Sequence, residues 1–225
     1  MKRFTLVPII ILIVVANANA YPGITPYAYC NWNPVKFIDP DGNDSKMVIS
    51  GNTITISAKY YAKPNDMQSL QQAVSFWNNQ KGLQYIDNKG SLYSVRFDLT
   101  ALRSNNPQND VALNADDISN SYKLVSSINV KTYISNAIVT GLTINNNQVQ
   151  VLEKNANNLT GAHEIGHTLM NTSNQKYEHT TQGIMTTSGT DSQRGEFVSQ
   201  ETVNTIINSH NNQSNKSLWQ KIVSF

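Results

Sequence analysis

Apolar and polar residues alternate with a period of two from Met47 to Tyr61, around Gly51-Asn52. That pattern predicts a hairpin of two half-buried strands. Past Pro64-Asn65-Asp66 the period lengthens, and Met67, Leu70, Ala73, Val74 and Trp77 share one face of a predicted helix that Gly82 ends. Alternation returns from Tyr93 to Leu99 as another strand. The polar stretch 103–120 reads as loop. Tyr122 to Ile134 and Ala137 to Val151 read as strands, the second broken by a turn at Asn145-Asn146-Asn147. A helix is expected from about Asn158 to Met170. A last one is expected from about Gln200 to Ser209, with Val203, Ile206 and Ile207 as its apolar face. There is no internal repeat. This order implies an α+β domain over residues 46–225: a mixed β-sheet packed on a central helix, with a C-terminal helix.

The first 45 residues follow neither period. Lys2 and Arg3 precede an apolar run from Leu6 to Val15, and Ala18-Asn19-Ala20 follows. This is the layout of a secretory signal peptide over residues 1–20, with Tyr21 as the mature start. The run is about half of the ~20 residues that a spanning helix needs, so an N-terminal membrane anchor is the weaker alternative. Residues 21–45 are dense in Pro, Gly, Asn and aromatics and read as an irregular linker. Within it, Tyr27-Ala28-Tyr29-Cys30 and Asn33-Pro34-Val35-Lys36-Phe37-Ile38-Asp39-Pro40-Asp41-Gly42 resemble the closing motif of the RHS repeat-associated core. In that family a variable toxin or effector domain follows the motif. The resemblance therefore implies an orphaned module of that kind, standing behind a signal peptide without the family's shell. Asp39 to Asp44 also faintly resembles a calcium loop, but lacks the closing Glu of an EF-hand and reads as a plain turn.

Composition adds mainly exclusions. The chain has 225 residues, enough for one domain with a real core, and only 14% of them are charged. A formal net charge of +2 without a Lys/Arg cluster argues against nucleic acid or an anionic membrane surface as partner. Cys30 is the single cysteine, so there is no internal disulfide. Export without disulfides suits a bacterial secreted or periplasmic protein. Asn-x-Ser/Thr triplets such as Asn158-Leu159-Thr160 arise by chance in so Asn-rich a chain.

Three of the four histidines, His163, His167 and His179, fall in one short segment. His163 and His167 are four residues apart, which places them one helical turn apart with Cβ atoms ~5–6 Å from each other. Two imidazoles so placed can converge on one Zn²⁺ at ~2.0 Å each. Glu164 lies about 100° further round the helix, poorly placed to share the metal but well placed to deprotonate a water that the metal activates. That division of labour is why His-Glu-x-x-His recurs in metal-assisted hydrolysis. Leu159, Ala162, Ile165 and Leu169 form the opposite stripe, so one side of the helix faces the core and the other a site. The competing reading is a structural or solvent-facing histidine pair.

His163-Glu164-Ile165-Gly166-His167-Thr168-Leu169 closely resembles the active-site helix of the zincin metallopeptidases, and Gly183-Ile184-Met185 resembles the Met-turn of their metzincin branch. The resemblance implies a zincin-like fold, one catalytic zinc ion, Glu164 as general base and Met185 passing beneath the metal. The metzincin pattern then places Gly and a third His where this chain has Met170 and Ser173, so the third ligand must come from elsewhere. Catalytic zinc takes three protein ligands and keeps the fourth position for water. The downstream candidates are Glu178, His179, Asp191 and Glu196. His179 leads because imidazole suits zinc and it alone among the histidines lies between the helix and the Met-turn, with Asn171 to Lys176 as the returning loop. His210 reads as a surface or capping residue, and Cys30 as a remote candidate for a latent-state zinc ligand. The expected function is a secreted zinc metallopeptidase acting on a protein or peptide. A toxin role and a cognate immunity protein follow only from the RHS-like segment. A zinc hydrolase of another amide, such as cell-wall material, and a non-catalytic exported binding module with a structural metal are the alternatives.

Overall fold

Ile54, Ile56, Ala58, Tyr60 and Ala62 all point one way from a single ten-residue strand, and all five are buried. The computed structural model describes residues 45–114, 118–128, 139–156, 159–170, 179–186 and 195–223, with side chains described as far as 211. The expected signal segment, the RHS-like linker as far as residue 44, Cys30, the loop Asn171 to Lys176, and Glu178 and Asp191 lie outside these residues. All described residues belong to one unit, Asp39–Phe225.

The buried strand is β2 (Thr53–Ala62). β1 (Lys46–Ser50) pairs with it antiparallel through the turn at Gly51-Asn52, as the alternation predicts. Gly51 has φ +56°, a conformation that glycine adopts without a Cβ penalty. β4 (Leu92–Arg103) runs parallel to β2 along its whole length, and β3 (Gln84–Ile86) pairs antiparallel with β4. On the other edge of β2, β1 covers the first half, and β5 (Ser119–Val125) runs parallel to Lys59–Ala62 in the second. β7 (Gln148–Leu152) runs parallel to β5, and β6 (Gly141–Ile144) pairs antiparallel with β7 through the predicted asparagine turn. Asn145 and Asn146 both have positive φ there, which asparagine tolerates better than most residues. The sheet order is β3-β4-β2-β5-β7-β6, with β1 on β2.

Helix α1 (Met67–Asn78) follows β2 and buries the predicted face through Leu70, Ala73, Val74 and Trp77. The Trp77 ring meets Phe97 of β4 edge-on at 4.8 Å, and its indole N–H donates to Ala162 O at 2.9 Å. Ala162 lies on α3 (Thr160–Met170), which packs against α1, β6 and β7. The Tyr60 and Thr168 hydroxyls form a buried hydrogen bond that ties α3 to β2. The helix bearing the histidine pair is thus held to the sheet by an aromatic ring and a hydroxyl pair as well as by its apolar stripe.

The domain is a mixture of α and β with a mixed sheet, as expected, but several boundaries differ from the sequence reading. The stretch 103–120 contains a short helix, α2 (Pro107–Leu113), with Pro107 in its first turn. The strand expected over Tyr122 to Ile134 begins at Ser119 and ends at Val125. β3 was not foreseen, because three residues are too few to show a period. The last helix, α4 (Gln200–Val223), continues well past Ser209. No helix among the described residues is long and apolar enough to cross a membrane.

His210 is not the surface residue that the sequence suggests. It is only 6% exposed on α4, and its Nε2 lies 3.1 Å from the buried Oγ of Ser45, the residue before β1. Burial pushes its pKa down from 6.5 to about 4. Between those two values the unfolded chain takes up a proton that the folded chain resists. Stability is therefore level above about pH 6.5 and falls as the pH drops towards about 4, by up to ~3 kcal/mol. Urea midpoints measured from pH 8 to pH 4 should show this slope in the parent and lose most of it in His210→Gln. Parallel curves would remove His210 as the cause.

Candidate metal centre

The centre is built on two turns of α3. Their spacing brings His163 and His167 together, with the Nε2 atoms 3.2 Å apart and ring centroids 4.8 Å apart. His163 Nδ1 lies 2.8 Å from Ile184 O. A carbonyl only accepts, so Nδ1 carries the proton, and Nε2, the atom that faces His167, is the one placed to ligate. A backbone carbonyl that fixes the tautomer in this way is the usual support for a metal-ligating histidine.

His179 completes the group. Its ring stacks on His163 at 5.4 Å and meets His167 edge-on at 4.9 Å. The ligand atoms of the three residues all lie within 4.8 Å of one another. Two nitrogens bound at ~2.0 Å in a tetrahedral site stand ~3.3 Å apart, so the His163–His167 pair already has the required separation. The three histidines can therefore hold a metal ion, with His179 needing only a small closure. His163 is buried, His167 half-buried and His179 exposed, so the centre opens to solvent on the His179 side. Glu196, the described one of the other candidates, is not part of this group.

The segment that presents His179 is anchored from two sides. Thr180 N donates to Met185 O at 2.8 Å, and Thr180 and Thr186 form a bridge that closes the loop on itself. Thr181 then donates to Glu201 Oε2 from both its N–H and its hydroxyl, each at 2.8 Å, which fastens the loop to the first turn of α4. Thr180 Oγ1 also bonds the buried Thr202 hydroxyl at 3.2 Å. None of these partners was visible in the sequence, because only the fold brings 179–186 against α4.

The turn Gly183–Met185 lies directly against α3. Ile184 supplies the carbonyl on His163. Met185 is fully buried with its Sδ beside Gly166, where a Cβ would lie 2.2 Å from the sulfur. Gly183 has φ +80°, and a Cβ there would lie 2.7 Å from Phe197 O, so the turn needs glycine on both counts.

Glu164 is 5% exposed, on the side of α3 that faces β6. Thr143 Oγ1 lies 3.0 Å from its Oε2 and 2.9 Å from its backbone O. Under the same part of the helix, Tyr122 donates to or accepts from Ser69 Oγ at 2.7 Å. Burial pushes its pKa up to about 12, the Ser69 bond offsetting part of the rise and the charges of Asp66 and Glu164 adding to it. Tyr122 thus stays a neutral phenol and brings no charge to the centre. Thr143 and Gly141 are the neighbours of Glu164 that the sequence reading missed. One signal was present: a glycine inside a strand pattern marks a close approach by something else. No family model, curated protein or solved structure matches this chain.

Proposed function

We propose that this chain is an exported zinc metallopeptidase, with His163, His167 and His179 holding one zinc ion and Glu164 acting as general base. The observation that carries the reading is the three-imidazole group with a buried carboxylate on the helix that bears two of the three, one residue from His163. All-nitrogen donors of this kind suit zinc. Structural zinc sites are closed by four protein ligands, whereas the described residues supply three on a face open to solvent. When bound, zinc supplies Lewis acidity, acidifying water and polarising a carbonyl. Glu164 takes the proton from the attacking water as its oxygen adds to the scissile carbonyl carbon. The same carboxylic acid then returns the proton to the leaving amide nitrogen as the C–N bond breaks.

A peptide is favoured over other amides by the strand beside Glu164. Among the described residues β6 pairs only with β7, which leaves its second edge to hydrogen-bond an extended chain. Export by residues 1–20 and a toxin or effector role, with an immunity protein as partner, belong to the same proposal and rest on the sequence. Metal analysis of the purified chain should give about one zinc per molecule. The chain should cleave peptides in a mixed library, stop with a chelator and recover with zinc. Stoichiometric zinc without cleavage of any peptide would leave a metal-bearing binding module as the better description.

A further inference from the structure

We infer that Gly141 and Thr143 of β6 are positioning residues for the Glu164 carboxylate, an assignment that rests on the metallopeptidase reading. Residues two apart on a strand share a face, so both point at α3. They address the two carboxylate oxygens separately. Thr143 Oγ1 lies 3.0 Å from Oε2, while a Cβ at Gly141 would lie 2.6 Å from Oε1 and 2.6 Å from Cγ. The same Cβ would also stand 2.7 Å from Thr160 Cγ2, so the space at 141 is closed on two sides. Glycine at 141 leaves the room in which Glu164 lies, and threonine at 143 bonds what lies there.

The Thr143 hydroxyl has a single proton and two acceptors, Oε2 and the Glu164 backbone O. An ionised carboxylate is the stronger acceptor, so the proton goes to Oε2. With one oxygen held by a donor and the other against a bare glycine, the side chain keeps one rotamer. A base works only when its proton-accepting atom is within hydrogen-bond reach of the water, and a displacement of about 1 Å reduces turnover by up to ~10²-fold. Among the described residues β6 is also the edge strand that the proposed function offers to a peptide. The element that aligns substrate in this reading thus also aligns the base.

The test uses the full chain with Thr143→Val, Thr143→Ser and Gly141→Ala. Valine keeps the shape and removes the donor; serine keeps the donor. Thr143→Val and Gly141→Ala should lower kcat about tenfold with KM changed less than about twofold. Zinc content should stay at the parent value, and Thr143→Ser should recover kcat to within about threefold. Thr143→Ala carries the same expectation as valine if valine disturbs the strand. A second readout needs no activity: thermal midpoints of the metal-stripped chain in a cycle with Glu164→Ala. Thr143→Val should lower the midpoint by roughly 2–4 °C when Glu164 is present and by less than half of that when it is absent. If the parent cleaves peptides and Thr143→Val has its kcat, the inference is wrong. If the parent cleaves nothing, the metallopeptidase reading fails and the cycle decides alone. Additive midpoints then overturn the Thr143–Glu164 pairing, and coupled midpoints uphold it.

Discussion

Glu164→Gln should keep its zinc and its fold and lose at least ~10²-fold in kcat. The substitution is close to isosteric. A Gln side-chain oxygen can still accept the Thr143 hydroxyl, so the hydrogen bond at 3.0 Å has a substitute and that hydroxyl keeps its acceptor. The three imidazoles do not contain the changed atom, so metal content should stay at the parent value. What is lost is basicity, since an amide oxygen does not take a proton from water near neutral pH. The measurement is kcat on a peptide that the parent cleaves, alongside metal content and the thermal midpoint of the same preparation. An active Gln variant at parental zinc occupancy would remove Glu164 from the base's role. An inactive variant that has also lost its zinc or its fold would instead mean that the carboxylate is structural.

His179→Ala should weaken zinc binding by more than the ~10–100-fold that follows the loss of an outer-shell partner, because a direct ligand is removed. The fold should survive. His179 is the exposed member of the group, and Thr180, Thr181 and Glu201 hold the loop around it. Competition with a zinc-sensitive dye, on the parent and on His179→Ala, Glu178→Ala, Asp191→Ala and Glu196→Ala, reads the contributions apart. The three carboxylate variants should match the parent within about threefold, since three imidazoles already supply the protein ligands that a catalytic zinc takes. Zinc retained after mild chelation in His179→Ala but lost in Asp191→Ala would transfer the third position to Asp191. The comparison with metzincins would weaken with it.

The site was legible in the sequence to the extent that one helix carries it. Four-residue spacing alone places His163 and His167 on one face, and Glu164 follows from the same geometry. His179 stands out in sequence as the remaining side chain that suits zinc, and the fold brings it to the pair. The supports of these residues were not legible. Thr143 and Glu201 matter through register and through contacts made across 21 and 20 residues of chain, which no local period encodes. The same reason explains His210. The apolar face read for the last helix ends at Ile207, yet Ser45, the residue before β1, meets His210 on the next turn. The hairpin β1–β2, the turn before β7 and the buried face of α1 were readable because their periods are local. α2 was missed although Asn106-Pro107 is an opening signal for a helix, since a polar stretch gives so short a helix no apolar face to detect.

The glycine at 166 gives the five-residue motif a second kind of content. In the proposed function His163, Glu164 and His167 are there for chemistry. Gly166 is there because the sulfur of Met185 and the Trp77 ring fill the place of its Cβ, with Trp77 Cζ2 at 3.1 Å. Glycine inside a helix costs about 1 kcal/mol relative to alanine, so the helix gives up stability to admit a side chain from a turn 19 residues downstream. Positions 166 and 185 are therefore one decision written in two places. A bulkier residue at 166 would require a smaller or differently shaped one at 185. Covariation between these two sites would be a mark of this packing that owes nothing to the metal.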